Sequence, residues 1–149
     1  MPALNGFLGS YPDVTPDILL DERNVDLLED GVDVGLRTGT HDTLNMSARK
    51  LREVPRYVVG SPAYFEHAGI PATPGELSCH QFINYSQLGG GRVWTFRRND
   101  TEPSVSLNGR LSLSALEGVR EAVLADTGIA VAPEWVFLPE LKSGQVRTN

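Results

Sequence analysis

Cysteine is nearly absent: Cys79 is the one thiol among 149 residues. That excludes an intrachain disulfide, and neighbouring His80 alone does not complete a four-ligand zinc site. The pattern fits a reducing, cytoplasmic compartment. Long apolar runs are missing too. No stretch approaches the ~20 residues that span a bilayer, and Met1–Gly6 has no positive charge ahead of an apolar segment. The expectation is a chain without a secretion signal and without membrane contact. Basic charge is also short, with thirteen Lys and Arg against nineteen Asp and Glu, a net charge of −6. Binding a phosphate backbone needs the opposite balance, which argues against a stand-alone nucleic-acid binder. The 40% of apolar residues is enough for one ordinary core or two small lobes.

Signatures of covalent or metal chemistry are equally sparse. Gly60-Ser61-Pro62 lacks the Gly-x-Ser-x-Gly frame of a nucleophile elbow, because position 59 is Val and position 63 is Ala. His41, His67 and His80 stand in polar segments without His-x-x-x-His or carboxylate spacing, so we expect solvated or turn-anchoring roles and no metal or cofactor. Gly89-Gly90-Gly91 is followed by Arg92-Val93-Trp94, a strand rather than the helix of a phosphate loop, and reads as a flexible turn. Glu117 and Glu121 share a helix face with Arg120 between them in sequence, the composition of a solubilising surface. The basic run Arg49–Arg56, interrupted by Glu53 and Pro55, reads as the solvated face of a strand.

What is present divides unevenly. Residues 1–45 carry nine acids and two bases, and residues 46–149 carry ten acids and eleven bases. The polar stretch Thr38–Asn45 joins them without helical or strand periodicity, so the boundary is placed there. In the first part Leu4, Phe7, Leu8 and Tyr11 form a helical stripe closed by Pro12. Ile18–Leu20 and Val32–Leu36 read as strands around two helical turns, with Asn24 as cap and Gly31 as stop, the unit of a parallel sheet. In the second part Tyr57–Val59 reads as a strand. Ser61 then caps a helix with Pro62 at its first position, stopping near Gly69. Thr73-x-x-Glu76 and Ser114-x-x-Glu117 have capping-box spacing. Leu116, Val119 and Val123 give the second of these helices a buried face ending at Gly128, and Ile129–Ala132 follows as a strand interrupted by Pro133. Trp94/Phe96 and Val105/Leu107 alternate like a hairpin with one face buried. Asn108-Gly109 has the composition of another tight turn.

Taken in order, these segments resemble the effector-binding (substrate-binding) domain of LysR-type transcriptional regulators across essentially the whole chain. The resemblance is carried by Leu4-x-x-Phe7-Leu8-x-x-Tyr11-Pro12, by Asp26–Gly39 around Gly31-Val32-Asp33-Val34-Gly35-Leu36-Arg37, and by Val58–Tyr64. It continues through Thr73-Pro74-x-Glu76-Leu77-x-x-His80, Trp94-x-Phe96, Gly109-Arg110-Leu111 and Glu117–Trp135 with Thr127-Gly128-Ile129-Ala130-Val131. It implies an α/β fold of two lobes, periplasmic-binding-protein-like (type 2), with the first lobe incomplete. Residues 1–45 would belong to regulatory lobe I and 46–149 to regulatory lobe II. The family's helix-turn-helix is not among these residues, nor is the first strand of its first lobe. Ile18–Leu20 and Val32–Leu36 would then flank an unfilled position and be poorly ordered or swapped, while 48–146 stays folded. The resemblance also implies that Gly109 lies within one long bent strand rather than a hairpin turn. Ser114 and Thr43-Leu44-Asn45 stand where family members usually carry Asn and Ser or Asp.

The same resemblance implies a small-molecule cleft between the lobes, with the junction near 38–47 as one crossover. Strand carboxyl ends and helix amino ends meet in such crevices and favour anions. The expected ligand contacts are Arg37 and Thr38 from one lobe, facing Ser61, Ser114 and Pro133 from the other. The expected function is effector sensing, the effector being a small, anionic molecule. The intact regulator would be a homodimer or tetramer, paired through the Leu4–Tyr11 and Ala115–Asp126 helices, and would reach DNA through its separate N-terminal domain. Two alternatives use similar folds. A transporter's solute-binding protein lacks support from a signal segment, and an α/β enzyme lacks a nucleophile–base or metal set.

Overall fold

The computed structural model describes residues 2–23, 26–38, 47–87, 93–97 and 102–149. The Leu4 stripe forms helix α1 (Pro2–Ser10), extended by Tyr11 N–H donating to the Phe7 carbonyl and closed by a turn from Val14 N–H to Tyr11 O. Phe7, Leu8 and the following Tyr11 are exposed, so the stripe is formed but not covered.

Neither strand expected in the first part is present. Ile18–Leu20 and Val32–Leu36 have no strand pairing, and Leu20, Val34 and Leu36 are 80%, 87% and 84% exposed. β-branched and apolar composition favours an extended chain, but a strand exists only where a neighbour completes its ladder, and no described residue does so here. Between them is a single turn rather than two. Asp30 N–H donates to Asp26 O and Val32 N–H to Leu27 O, and the chain reverses at Gly31 with φ +64°. The Asp26 carboxylate accepts from the N–H groups of Leu28 and Glu29 and so caps this turn. Asn24, expected as cap, and the junction 39–46 with His41 and Thr43-Leu44-Asn45 lie outside the described residues, as does Gly89–Arg92.

All described strands belong to residues 56–149. Strand β1 (Arg56–Gly60) leads into α2 (Pro62–Ala68), then β2 (Ile83–Tyr85), β3 (Val93–Thr95), β4 (Ser104–Ser106), β5 (Leu111–Leu113), α3 (Leu116–Leu124), β6 (Ala130–Pro133), α4 (Leu138–Ser143) and β7 (Arg147–Thr148). β1 is central to an antiparallel set, β6-β1-β7, with Arg56 opposite Pro133 and Gly60 opposite Arg147. β2 and β5 pair in parallel. A parallel bridge from Phe82 to Ile129, with Ile83 N–H on Ile129 O at 2.8 Å, joins the two sets. Read across, the strands run β5-β2-β6-β1-β7.

Successive side chains on a strand point to opposite faces, and both faces are apolar here. Val58, Phe82, Ile129 and Val131 pack on one side with Tyr64, Phe65, Leu77 and Leu107; the hairpin residues Trp94, Phe96 and Val105 lean on the same layer. Val59, Ile83, Ala130 and Ala132 pack on the other side with Val119, Val123, Phe137 and Val146. The result is a mixed sheet covered on both faces, an α/β arrangement. The expected hairpin is present as β3 and β4, Trp94 opposite Val105. Gly109 forms no tight turn. It lies between β4 and β5, where a Cβ would come within 1.9 Å of the Phe82 carbonyl oxygen. The family's bent strand is thus represented by two short ones that pair with different neighbours.

Of the three expected caps that fall among the described residues, one is formed as read. Ser61 Oγ accepts from Tyr64 N–H at 3.0 Å, and α2 stops at Gly69 with φ +82°. Thr73 instead donates its hydroxyl to Glu76, whose other oxygen accepts from Ala72 N–H ahead of a 3-10 helix, Pro74–Cys79. Ser114 caps nothing: α3 begins after Ala115 with no side-chain bond from its own flank. The Arg49–Val54 run is exposed and non-strand, since β1 begins only at Arg56.

Candidate functional site

β5, β2 and β6 run in one direction, so their carboxyl ends share one edge of the sheet. Antiparallel β1 contributes its first residue, Arg56, to that same edge. Helix α3 starts there as well, and a carboxylate sits on its amino end. Leu116 N–H donates to Glu22 Oε2 at 2.9 Å and to Oε1 at 3.2 Å, while Tyr85 Oη donates to Oε2 at 2.7 Å. Glu22 therefore supplies the cap that Ser114 does not, from a segment 94 residues away. Partial burial, then the Glu22 bond and charge and the charge of Glu117, push the Tyr85 phenol well above its ordinary range, with Arg56 opposing. Tyr85 is therefore held as a neutral donor.

Beside this contact is a hollow of about 90 Å³ lined by Thr38, Arg52, Val54, Arg56, Pro133 and Trp135. Arg52 and Arg56 are exposed, and neither forms an ion pair with a described residue. Trp135 is 52% exposed. As it stands the volume holds about three waters' worth of space, enough for the charged end of a small organic acid rather than a whole one.

The expected contacts do not converge as one set. Thr38 and Pro133 line this hollow together, and Arg37 lines neither this hollow nor the larger one described next. Ser114 is exposed at the α3 start. Ser61 follows the last residue of β1, at the opposite edge from Pro133, where it lines a separate hollow of about 420 Å³ with Arg120, Asp126, Glu140 and Gln145. The antiparallel β1–β6 register explains the separation: the carboxyl end of β1 lies beside the amino end of β6. The charged groups of this larger hollow are partnered in part, and buried Glu140 Oε2 has no hydrogen-bond partner among the described residues. Ser61 donates to Asp126, which holds a left-handed φ of +58°, and Arg120 pairs with Glu140. The hydrogen bond from Arg120 holds the buried Glu140 carboxyl below its ordinary range against the cost of burial.

Among the described residues no cluster of His, Cys, Asp or Glu could hold a metal ion. His67 is anchored to the Ala63 carbonyl and His80 to the Tyr64 hydroxyl. No helix among them is long and apolar enough to cross a membrane. Glu22 and Tyr85 were not marked by any motif, and Trp135 closed the Glu117–Trp135 segment with no role assigned to it. The nearest signal was the basic run 49–56, and two of its arginines turn out to line the hollow.

Comparison with known proteins gives one consistent result. A family model described as the LysR substrate binding domain matches residues 1–149. A putative transcriptional regulator of Pseudomonas aeruginosa is 32% identical over 149 residues, covering 98% of this chain and 49% of the relative. The HTH-type transcriptional regulator PgrR of Escherichia coli is 29% identical over 136 residues, covering 89% and 46%. The chain thus spans about half the length of these curated relatives. Among solved structures, the full-length Vibrio cholerae virulence activator AphB, described as a member of the LTTR protein family, superposes with a TM-score of 0.81 at 28% identity, over 99% of this chain and 50% of that one. The regulatory domain of the C227S variant of Vibrio vulnificus AphB gives 0.81 at 26%, over 99% and 74%.

Proposed function

Because the chain belongs to the LysR substrate-binding domain family of transcriptional regulators, we propose that it senses a small organic acid at the carboxyl edge of its sheet. One observation carries this reading: two exposed arginines, Arg52 and Arg56, without ion pairs among the described residues, flank Thr38 and Pro133 in one hollow. A guanidinium fork matches a carboxylate's two oxygens, the Thr38 hydroxyl adds a donor, and the exposed face of Trp135 offers an apolar wall for the body of the ligand. The amino end of α3 lies on the same edge and adds its positive dipole. The charge is that of an anion receptor even though the whole chain is acidic.

In this reading the chain is the effector-sensing part of an oligomeric cytoplasmic regulator, and operator DNA is contacted by a separate domain. Residues 1–45 serve as part of one lobe and 46–149 as the other. Calorimetry with a panel of aliphatic and aromatic monocarboxylates and dicarboxylates tests it. Binding by at least one of them, weakened about tenfold or more in Arg56→Ala or Arg52→Ala, is the expected result, since a charge-assisted bidentate contact is worth more than 1.4 kcal/mol. A preference for neutral or cationic compounds, or arginine variants that bind as wild type, overturns it.

A further inference from the structure

We propose that Glu22 is an internal competitor of the ligand: its carboxylate occupies the anion position at the start of α3, and an incoming carboxylate must displace it. This rests on the reading of the site as an organic-anion receptor and adds to it the residue that gates it.

The geometry distinguishes Glu22 from an incidental cap. The first N–H groups of a helix need acceptors, and the flank of α3 provides none, since Ala115 has no side-chain acceptor and Ser114 makes no such bond. Both Glu22 oxygens accept from Leu116 N–H, and one also accepts from Tyr85. That donor set, a helix amino end and a neutral phenol, is suited to any carboxylate. Nothing in it is specific to a glutamate side chain. Tyr85 and Pro133 end the neighbouring strands β2 and β6 on the edge where Arg56 begins β1, so the hollow holding Arg52 and Arg56 and the Glu22 contact share one edge of the sheet.

Displacement has a mechanical consequence. Among the described residues, Glu22 makes every hydrogen bond that joins residues 2–23 to residues 47–149. A ligand that takes Leu116 N–H and the Tyr85 hydroxyl therefore also unfastens the first segment from the sheet. Glu22 is thus a positioning residue that converts occupancy of the site into release of a neighbouring piece of chain.

The test uses the full 149-residue chain and acetate, the smallest analogue of the Glu22 side chain. The amide resonances of Leu116 and Arg56 are followed during acetate titration of wild type, Glu22→Ala and Glu22→Gln. The proposal expects the Leu116 amide to move on Glu22→Ala. Acetate should then return it toward the wild-type position, with an apparent affinity at least tenfold higher than in wild type. Glu22→Gln, which keeps a neutral acceptor, should fall between, and it serves as the variant of choice if Glu22→Ala is poorly folded. A Leu116 amide indifferent to both substitutions, or one that responds to acetate equally in all three proteins, overturns the proposal. If acetate moves Arg56 alike in all three and never Leu116, the anion receptor stands and the gating role of Glu22 falls. If acetate moves neither residue in any protein, the anion reading falls and the proposal with it.

Discussion

Gly109 and Gly128 are placed by the carbonyls they face. A Cβ on Gly109 would stand 1.9 Å from Phe82 O, and one on Gly128 would stand 2.2 Å from Gln81 O. Both obstacles are backbone, which yields only if β2 and its entry shift. Either glycine changed to Ala is expected to lose about 3 kcal/mol in urea unfolding, the upper part of the ordinary overpacking range. Gly75→Ala, whose nearest neighbour would be Thr73 Oγ1 at 3.9 Å, should unfold within about 1 kcal/mol of wild type. The two candidate serines separate in the same way. Ser61→Ala removes a cap and the donor to Asp126, and should cost about 1 kcal/mol or more. Ser114→Ala touches an exposed, uncapping side chain and should stay within about 0.5 kcal/mol.

At the level of elements, the Arg120–Glu140 pair ties α3 to α4, and its pH dependence has a definite sign. Glu140 is held below its ordinary range by the bond from Arg120, so its contribution to stability is complete above the ordinary carboxyl range and is lost as pH falls through its depressed value. In Arg120→Met the bond is gone and burial, the larger of the two remaining causes, outweighs the backbone hydrogen bond of Glu140 and pushes the carboxyl upward. The variant should be less stable than wild type at neutral pH, and the gap should close as pH falls and Glu140 takes up a proton. Thermal unfolding from neutral to acid pH checks this; a gap that is constant or widens toward acid contradicts it. Local patterns made much of the architecture legible. The 3.6-residue stripe of α1, Ser61-Pro62 at the start of α2, the alternation in β3 and β4 and the run into β6 are all short-range signals, decided within a few residues. Ile18–Leu20 and Val32–Leu36 carry the same kind of signal but form no strand, because pairing is settled by another segment. Amide exchange should show those two stretches unprotected, while Val58, Val59 and Val131 exchange slowly. The site was legible only in part for a related reason. Thr38 and Pro133 come from the expected regions, whereas Glu22 on Leu116 closes a loop of 94 residues that no local spacing encodes.

Considered whole, the molecule covers one of its two helical stripes and leaves the other open. Val119 and Val123 of α3 are spent on the core, which removes that stripe as a pairing surface. Phe7 and Leu8 of α1 and Tyr11 just beyond it remain exposed, as does Val14. Self-association is therefore expected through α1 rather than α3. Sedimentation should show a concentration-dependent dimer that Phe7→Ser with Leu8→Ser abolishes without lowering the unfolding midpoint of the sheet; a monomer at every concentration contradicts it. The acidic balance adds a second expectation. The 149-residue chain should show no salt-resistant, sequence-dependent retardation of duplex DNA. β7 lies beside β1 and runs against it, Thr148 opposite Val59, with Asn149 N–H on Val58 O. The start of β1 and the end of β7 are thus adjacent, like two ropes tied to one post. A pull on Arg56 and Asn149 loads this pair from one end and peels its rungs one after another, the geometry that yields at low force.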